Sequence, residues 1–156
     1  MTVENFHAAL KEQGGGGSEI GGSAEVGAAV AAKKKKIICL AGDGSIMMNI
    51  QELETIKNWN LNVIIFLINN DGYLSIKQTQ KNFFKNENGA SSKSGLSFPN
   101  FKKVANSFGI KAIDLEYKNW LKKLVIILKK KGPLLVNISV DTIQEFEPKL
   151  KSQKID

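Results

Sequence analysis

The amino-acid sequence predicts an α/β fold in which a parallel β-sheet lies between helices on both faces, a three-layer, Rossmann-like architecture. Segments with helical spacing alternate with short apolar segments along most of the 156 residues, a pattern typical of parallel sheets. Two apolar segments, IICL at 37–40 and NVIIFLI at 62–68, lack polar alternation, as expected for strands that are covered on both faces. A chain of this length fits one domain.

The first half of the chain contains two predicted strands and two predicted helices. A small-residue helix is expected from Ser23 to the lysine run at 33–36, because cations suit a helix C-terminus. A strand over 37–41 follows it. Ser45 is expected to cap the next helix, whose apolar residues recur at intervals of three and four and which ends at 58–60. The strand at 62–68 then ends in the turn residues NNDG at 69–72.

The second half continues the alternation. Residues 73–84 are expected to be partly helical, and 85–95 form a polar loop. SFPNFKKVANSFG at 97–109 predicts a helix, because it has a cap, a Pro in the first turn and a terminal Gly. A strand at 110–115, a helix at 117–132 and a strand at 133–140 complete the predicted sheet.

The composition divides the chain into three parts. Half of the 14 glycines lie between Gly14 and Gly27, which predicts a flexible segment over 1–22. Residues 23–140 contain the alternating elements and form the predicted domain. The polar sequence over 141–156 predicts an irregular tail.

Charge and hydropathy argue against binding to nucleic acid or to a membrane. The formal net charge is +7, but all the basic residues are lysines spread over several segments, so no arginine can contact phosphates or bases in a bidentate manner. No apolar run approaches the roughly 18 residues of a membrane span, and the N-terminal residues lack a signal-peptide pattern. We therefore expect a cytoplasmic protein. Cys39, the single cysteine, lies in a predicted strand and is expected to be a small buried hydrophobe.

Two polar clusters follow the first two predicted strands. AGDGS at 41–45 follows one strand and NNDG at 69–72 follows the other, so both clusters are expected at the carboxyl edge of the sheet, where ligands bind. The oxygens of Asp43 and Asn70, with a backbone carbonyl near Gly72, suit Mg²⁺ or Ca²⁺ and not zinc. The helix start after Gly44 suits an anion. A diphosphate held through a cation fits this pattern, although each segment alone is also a common turn sequence.

GDGS at Gly42–Ser45, followed by NN at Asn69 and Asn70, resembles the cofactor signature of thiamine diphosphate-dependent enzymes. Residues 27–150 are similar to the carboxyl-terminal, diphosphate-binding domain of acetolactate synthase-like enzymes. INNDGY at 68–73, LSIKQTQ at 74–80 and QEFEPKL at 144–150 occur in the same order as in that family.

The resemblance implies a thiamine diphosphate-binding fold, with thiamine diphosphate and Mg²⁺ as cofactors and a small 2-oxo acid as substrate. Asp43 and Asn70 would ligate Mg²⁺ through their side chains, and Gly72 would ligate it through its carbonyl. The other residues that the resemblance assigns to the cofactor are Gly42, Gly44 and Ser45 at the diphosphate and Tyr73 and Leu74 beside the thiazolium.

Three positions depart from the family pattern. The family places a bulky residue before GDG to bend the cofactor, and a Pro begins the next helix, whereas Ser18 and Ser23 occupy these places. The aromatic position near the substrate of acetolactate synthases corresponds to Thr79. The identity of the 2-oxo acid therefore does not transfer, and no catalytic residue is assigned.

The family activates thiamine through a glutamate on a separate pyrimidine-binding domain, and no N-terminal glutamate of this chain lies in a similar context. The resemblance therefore implies a pyrimidine-binding domain or subunit as partner, in a homo- or hetero-oligomer with lyase or transferase chemistry. We expect the isolated chain to be inactive. The alternative is a non-catalytic cofactor-binding or structural interaction module, a truncated relic of such an enzyme.

Overall fold

Four parallel strands form one sheet at the centre of the computed structural model, which describes residues 21–32 and 35–143. In chain order the strands are β1 (Ile37–Gly42), β2 (Val63–Asn69), β3 (Lys111–Asp114) and β4 (Leu134–Ser139). Their order in the sheet is β1-β2-β4-β3, and every neighbouring pair is parallel. The predicted α/β fold with a parallel sheet is confirmed.

Helices connect the strands throughout the described part of the chain. They are α1 (Gly21–Ala31), α2 (Asp43–Met48), α3 (Glu52–Asn58), α4 (Leu74–Thr79), α5 (Phe101–Ser107) and α6 (Trp120–Lys129). A π-helical turn at Gln80–Phe84 continues α4, and a 3₁₀ turn spans Ser92–Ser94. No helix within residues 21–32 and 35–143 is long and apolar enough to cross a membrane.

Strand β2 is buried on both faces, as its uninterrupted apolar sequence predicts. Val63, Ile65 and Leu67 pack with side chains of α1, α3 and α5, whereas Ile64 and Phe66 pack with side chains of α6 on the other face. Each fully buried side chain of this size contributes about 1.5–3 kcal/mol through removal of apolar surface from water. The helices therefore form a layer on each face of the sheet.

Cys39 of β1 is also buried, which confirms the prediction for its side chain.

The segment after β1 differs from the single capped helix that the sequence predicts. The chain forms two short helices, α2 and α3, and the cap of α2 is Gly42, so the prediction that Ser45 caps the helix is wrong. Helix α2 begins early because the Asp43 carboxylate accepts a hydrogen bond from the N–H of Gly44, 2.7 Å away, in the first turn. It ends at Asn49, whose φ of −132° is not helical.

The boundaries of the other helices also differ from the sequence prediction; α6, for example, begins at Trp120 and ends at Lys129 instead of spanning 117–132. The N-cap of α5 is Asn100, whose side chain accepts a hydrogen bond from the N–H of Lys103 at 3.0 Å, so Pro99 precedes the helix instead of lying in its first turn. Helix α1 includes Gly21 and Gly22, two residues of the segment that was expected to be flexible. Residues 1–20, with Ser18, and residues 144–156 of the expected tail lie outside the described residues.

Candidate functional site

The carboxyl ends of β1 and β2 bring the two polar segments together. Gly42 at the end of β1 is paired with Ile68 of β2, so Asp43 and Asn70 follow neighbouring strands at the same edge of the sheet. The Asp43 side chain is fully buried there, with 0% exposure. A buried carboxylate at the carboxyl edge of a parallel sheet is typical of a functional residue, because its burial costs free energy that packing alone does not recover.

Backbone N–H groups of both segments surround the Asp43 carboxylate. Its Oδ1 accepts from the N–H of Gly44 at 2.7 Å, and its Oδ2 accepts from the N–H groups of Asn70 and Gly72, each at 3.1 Å. Burial raises the pKa of Asp43, and these hydrogen bonds, which favour the ionised form, lower it by less. A cation beside the carboxylate would oppose the effect of burial on this pKa. Asp43 therefore joins the GDGS and NNDG segments into one site.

Close contacts favour glycine at two positions of the site. Gly72 has a φ of 138°, and a Cβ atom there would lie 2.1 Å from the carbonyl oxygen of Ala90. A Cβ atom on Gly44 would lie 2.3 Å from the ring of Tyr73, whose hydroxyl is 3.4 Å from the carbonyl oxygen of Gly44. The Tyr73 ring therefore lies against Gly44, and the two segments are in direct contact.

The other predicted site residues lie around this contact. Asn70 is half-buried, and its side chain makes no hydrogen bond to the part of the chain that the structure describes, so its amide oxygen is available to a ligand. Ser45 is half-buried in the first turn of α2, where its hydroxyl lies 3.6 Å from the Cβ position of Gly42. Leu74 begins α4, and Thr79 is an exposed residue at its end.

Sequence reasoning missed the contribution of the loop at 85–95. Tyr73 donates its backbone N–H to the carbonyl of Ala90 at 2.9 Å, and Gly72 forms an isolated β-bridge with Ser91. Ser91 is buried and caps the 3₁₀ turn together with Ser94, so a Ser-x-x-Ser capping box fixes the loop. The spacing of these two serines was the available signal, but the polar composition concealed it. The loop therefore fixes the backbone of the NNDG segment.

An open pocket of about 530 Å³ lies next to these residues. Its walls are α4 with the following turn, the loop at 86–93 and the residues after β4. Leu74 and Asp71 line it, so the pocket is continuous with the NNDG segment. Its volume is within the range of pockets that bind small molecules.

Oxygen atoms are the donors that this edge of the sheet offers to a metal ion. No group of three or more His, Cys, Asp or Glu side chains that could hold a metal occurs within 21–32 and 35–143. The available oxygens belong to one carboxylate, the Asn70 amide and the backbone carbonyl of Gly72, which are hard donors. Such a set suits Mg²⁺ when phosphate oxygens and water complete the coordination, and it does not suit a structural zinc ion.

Comparison with known proteins relates this arrangement to one family. The family model described as "Thiamine pyrophosphate enzyme, C-terminal TPP binding domain" matches residues 2–138. The acetolactate synthase large subunit of Cyanidium caldarium is 37% identical over 119 residues, which are 76% of this chain and 20% of that protein. The acetolactate synthase isozyme 1 large subunit of Escherichia coli (strain K12) is 34% identical over 114 residues, 72% of this chain and 20% of that protein.

A solved structure shows the same fold. The thiamine diphosphate-dependent 4-hydroxybenzoylformate decarboxylase of Rhodococcus jostii RHA1 superposes with a TM-score of 0.66 at 22% identity, over 79% of this chain and 23% of that chain. This chain spans about a fifth of the length of the acetolactate synthase subunits that it matches. The family match covers both polar segments and all four strands except Ser139. The chain therefore belongs to the thiamine pyrophosphate enzymes and contains the C-terminal, thiamine pyrophosphate-binding domain of an acetolactate synthase-like protein.

Proposed function

We propose that the chain binds thiamine diphosphate through Mg²⁺ and serves as the diphosphate-binding half of a 2-oxo acid lyase or carboligase similar to acetolactate synthase. The observation that carries this proposal is the fully buried Asp43, whose carboxylate joins the backbone of GDGS to that of NNDG. The family membership supports the choice of cofactor, and the oxygen donors support the choice of metal.

In this proposal, Asp43 and Asn70 hold Mg²⁺ through their side chains and Gly72 through its carbonyl. Three backbone hydrogen bonds orient the Asp43 carboxylate, so its direction is set before an ion binds. Asn70 contributes a neutral oxygen, and the positive φ of Gly72 sets the direction of its peptide groups. The site needs no further acidic side chain, because the diphosphate supplies the remaining negative charge.

The diphosphate would contact Gly42, Gly44 and Ser45 at the start of α2, where backbone N–H groups and the helix dipole favour an anion. A Cβ atom on Gly42 would meet little except the Ser45 hydroxyl, so the backbone there is open to a ligand. Tyr73 and Leu74 would border the thiazolium. When bound, the cofactor supplies an electron sink for the carbanion that forms as a 2-oxo acid loses CO₂.

We also propose that a pyrimidine-binding domain, in the same polypeptide or in another subunit, supplies the activating glutamate from outside these 156 residues. The relatives are about five times as long as the segment that they share with this chain, which supports a further domain in the working enzyme. Phe83 and Phe84, on the turn that follows α4, are 75% and 72% exposed. Neighbouring exposed aromatic side chains are typical of a surface that a partner covers. The enzyme would act in the cytoplasm as a homo- or hetero-oligomer.

Titration calorimetry tests the cofactor site. We expect thiamine diphosphate to bind the purified chain in the presence of Mg²⁺ and not in its absence, and Asp43→Ala to abolish binding. Asp43→Asn keeps the shape of the side chain but removes its charge, and it should also abolish binding. Circular dichroism would show whether each variant folds.

Asp114→Asn is the matched control, because Asp114 lies at the end of β3 on the far side of the sheet from β1. Its cofactor affinity should equal that of the unchanged chain. Equal heats with and without Mg²⁺ would contradict the proposed metal site. Binding of the cofactor without turnover in the presence of a pyrimidine-binding partner would instead favour a non-catalytic module.

A further inference from the structure

The pocket beside Leu74 has an excess of positive charge. Lys77, Lys81, Lys85 and Lys93 line it, and the carboxylates in its wall are those of Asp71 and Glu87. The first three lysines are spaced by four along α4 and the turn that follows it, so they lie along one side of this segment. A pocket with four ammonium groups and two carboxylates attracts anions.

Serine hydroxyls donate hydrogen bonds to both carboxylates. Ser92 donates to Asp71 at 2.5 Å, Ser94 donates to Glu87 at 2.9 Å, and Ser91 also donates to Glu87. Hydrogen bonds from Ser91 and Ser94, and then the charges of Lys77 and Lys93, lower the pKa of Glu87. The two carboxylates are therefore held in the wall by hydroxyl groups.

The ammonium groups of the pocket remain available to a ligand. The ion pairs within 21–32 and 35–143 join Lys102 to Asp114 and Lys123 to Glu116, and neither pair includes a lysine of the pocket. Among the residues that the structure describes, these lysines make one hydrogen bond, a long one of 3.4 Å from Lys77 Nζ to the carbonyl oxygen of Thr142. The pocket thus has a net positive charge next to the segment that is proposed to bind the cofactor.

Hydrogen bonds fix the walls of the pocket relative to each other. The Gln80 side chain donates to the carbonyl of Asn88 and accepts from its N–H, both at 3.0 Å, which joins the turn after α4 to the loop. At the other end, Gly72 and Tyr73 pair with Ser91 and Ala90 of the same loop. The lysines are therefore attached to a defined framework that begins at the NNDG segment, and a ligand would not have to organise it.

We propose that this lysine pocket binds a second anionic group of the substrate, so that the enzyme acts on a 2-oxo acid that carries an additional carboxylate or phosphonate. The inference rests on the proposed function, because it requires the 2-oxo acid to lie beside Leu74 at the thiazolium. A volume of about 530 Å³ leaves ample room for a chain of several carbon atoms beyond the reacting centre. Pyruvate, which has no second anionic group, would not reach the lysines.

Binding of four probes to the full chain, loaded with Mg²⁺ and thiamine diphosphate, tests the proposal. We expect 2-oxoglutarate or phosphonopyruvate to bind at least about tenfold more tightly than pyruvate at low ionic strength, with the preference falling as salt is added. The tighter of the two dianions identifies the second group as carboxylate or phosphonate. Glutarate, which lacks the oxo group, should bind more weakly than 2-oxoglutarate.

A double variant tests whether the lysine pocket causes the preference for ligands with a second anionic group. Lys81→Gln with Lys85→Gln should remove most of the tenfold preference and leave the affinity for pyruvate unchanged. Lys111→Gln with Lys131→Gln is the matched control, because Lys111 begins β3 and Lys131 precedes β4. It removes the same charge at the amino ends of these two strands and should retain the preference. Equal affinities for pyruvate and the dianions, equal affinities for glutarate and 2-oxoglutarate, or equal effects of the two double variants would each overturn the proposal.

The same titrations separate this inference from the proposed function. Cofactor affinity is measured first and should be the same in the chain with Lys81→Gln and Lys85→Gln as in the unchanged chain. Loss of cofactor binding in the unchanged chain would contradict the proposed function. Normal cofactor binding without a preference for a dianion would contradict the substrate class alone.

Discussion

At Gly72, the backbone and not a side chain decides which residue the site can accept. Its φ of 138° is strained for any residue with a Cβ atom, and such an atom would lie 2.1 Å from the carbonyl oxygen of Ala90. Because this carbonyl accepts the N–H of Tyr73, it cannot move away without breaking a hydrogen bond beside the site. Gly72 therefore fixes the distance between the NNDG segment and the loop that supports it.

Replacement of Gly72 by Ala should destabilise the chain by about 2–4 kcal/mol, the sum of backbone strain and a contact with backbone that cannot relax. Urea denaturation followed by circular dichroism measures this loss. Gly89→Ala is the matched control, since Gly89 also has a positive φ, 60°, but has open space at its Cβ position. We expect the control to cost about 1 kcal/mol. Equal losses in the two variants would show that the contact with Ala90 has no effect.

The candidate site residues were easier to predict from the sequence than the residues that support them. GDG and NNDG contain the residue types that a cation and a diphosphate need, and the rule that parallel strands share a carboxyl edge brings them together. The bonds from backbone N–H groups to Asp43 could not be predicted, because they depend on the direction of the peptide groups after Asn69. Ser91 was missed because its role lies in a capping box within a polar loop.

At the level of the elements, apolar segments predicted strands better than caps predicted helix boundaries. Strand β2 contains one uninterrupted apolar run, so burial on both faces was the consistent interpretation. Between Asp43 and Asn58 the apolar spacing continues across the break at Asn49, because the buried residues of α2 and α3 pack into the same cluster. The periodic pattern therefore could not reveal that two helices share it. At α5, two residues with capping ability, Ser97 and Asn100, competed for one helix start.

An ion pair attaches α5 to the sheet. Lys102 of α5 lies 2.5 Å from the carboxylate of Asp114 at the end of β3, and Asn137 of β4 donates to the same carboxylate at 3.0 Å. These bonds, with Lys102 first, lower the pKa of Asp114. Both charged side chains are about 40% exposed, so solvent screening keeps the contribution of the pair below about 1 kcal/mol.

Lys102→Met should raise the pKa of Asp114 toward its ordinary value, which NMR titration of the carboxyl group measures. Because the folded-state pKa is lowered, the stabilisation is present above the ordinary pKa of about 3.9 and is lost as pH falls through the lowered value. The variant should therefore be slightly less stable than the unchanged chain at pH 7, and the difference should vanish in acid. Lys103→Met, on the next residue of α5, is the control. An Asp114 pKa that is the same with and without Lys102 would refute the assignment.

At the level of the whole molecule, the length of strand β1 separates a positively charged segment of the sequence from the proposed cofactor site. The lysine run at 33–36 precedes β1, whereas Asp43 follows it, and a strand of six residues separates its two ends by roughly 17 Å. This distance exceeds the Debye length of about 8 Å at physiological salt. The positive charge at the amino edge of the sheet should therefore have little influence on a diphosphate at the carboxyl edge.

Replacing the four lysines at 33–36 by Gln should change the affinity for thiamine diphosphate and Mg²⁺ by less than about twofold at physiological salt. Titration calorimetry compares the two chains, with Asp43→Ala as the variant that must lose binding. A loss of tenfold or more would mean that these lysines contact the cofactor, and the proposed site at the carboxyl edge would then be wrong. Of the four, Lys35 and Lys36 belong to the described residues.

The isolated chain should bind the cofactor without decarboxylating a 2-oxo acid. In the proposed function, binding of the diphosphate and the metal would require only the two segments at the carboxyl edge of the sheet, whereas activation of the cofactor would require a proton transfer that we assign to a glutamate of the pyrimidine-binding partner. Loss of one positioned acid or base costs a factor of about 10²–10⁴ in rate. Misplacement of the reacting atoms without the partner would lower the rate further.

A CO₂-release assay measures this difference on the purified chain saturated with Mg²⁺ and thiamine diphosphate. Pyruvate and 2-oxoglutarate serve as substrates, first alone and then with a candidate pyrimidine-binding protein added. Turnover should appear only with the partner and should be lost in Asn70→Ala, because that variant removes a proposed metal ligand. Asn106→Ala, on an exposed face of α5, should retain it and serves as the control. Robust turnover by the chain alone, abolished by Asn70→Ala, would place a complete catalytic site within these 156 residues and would contradict the need for a partner.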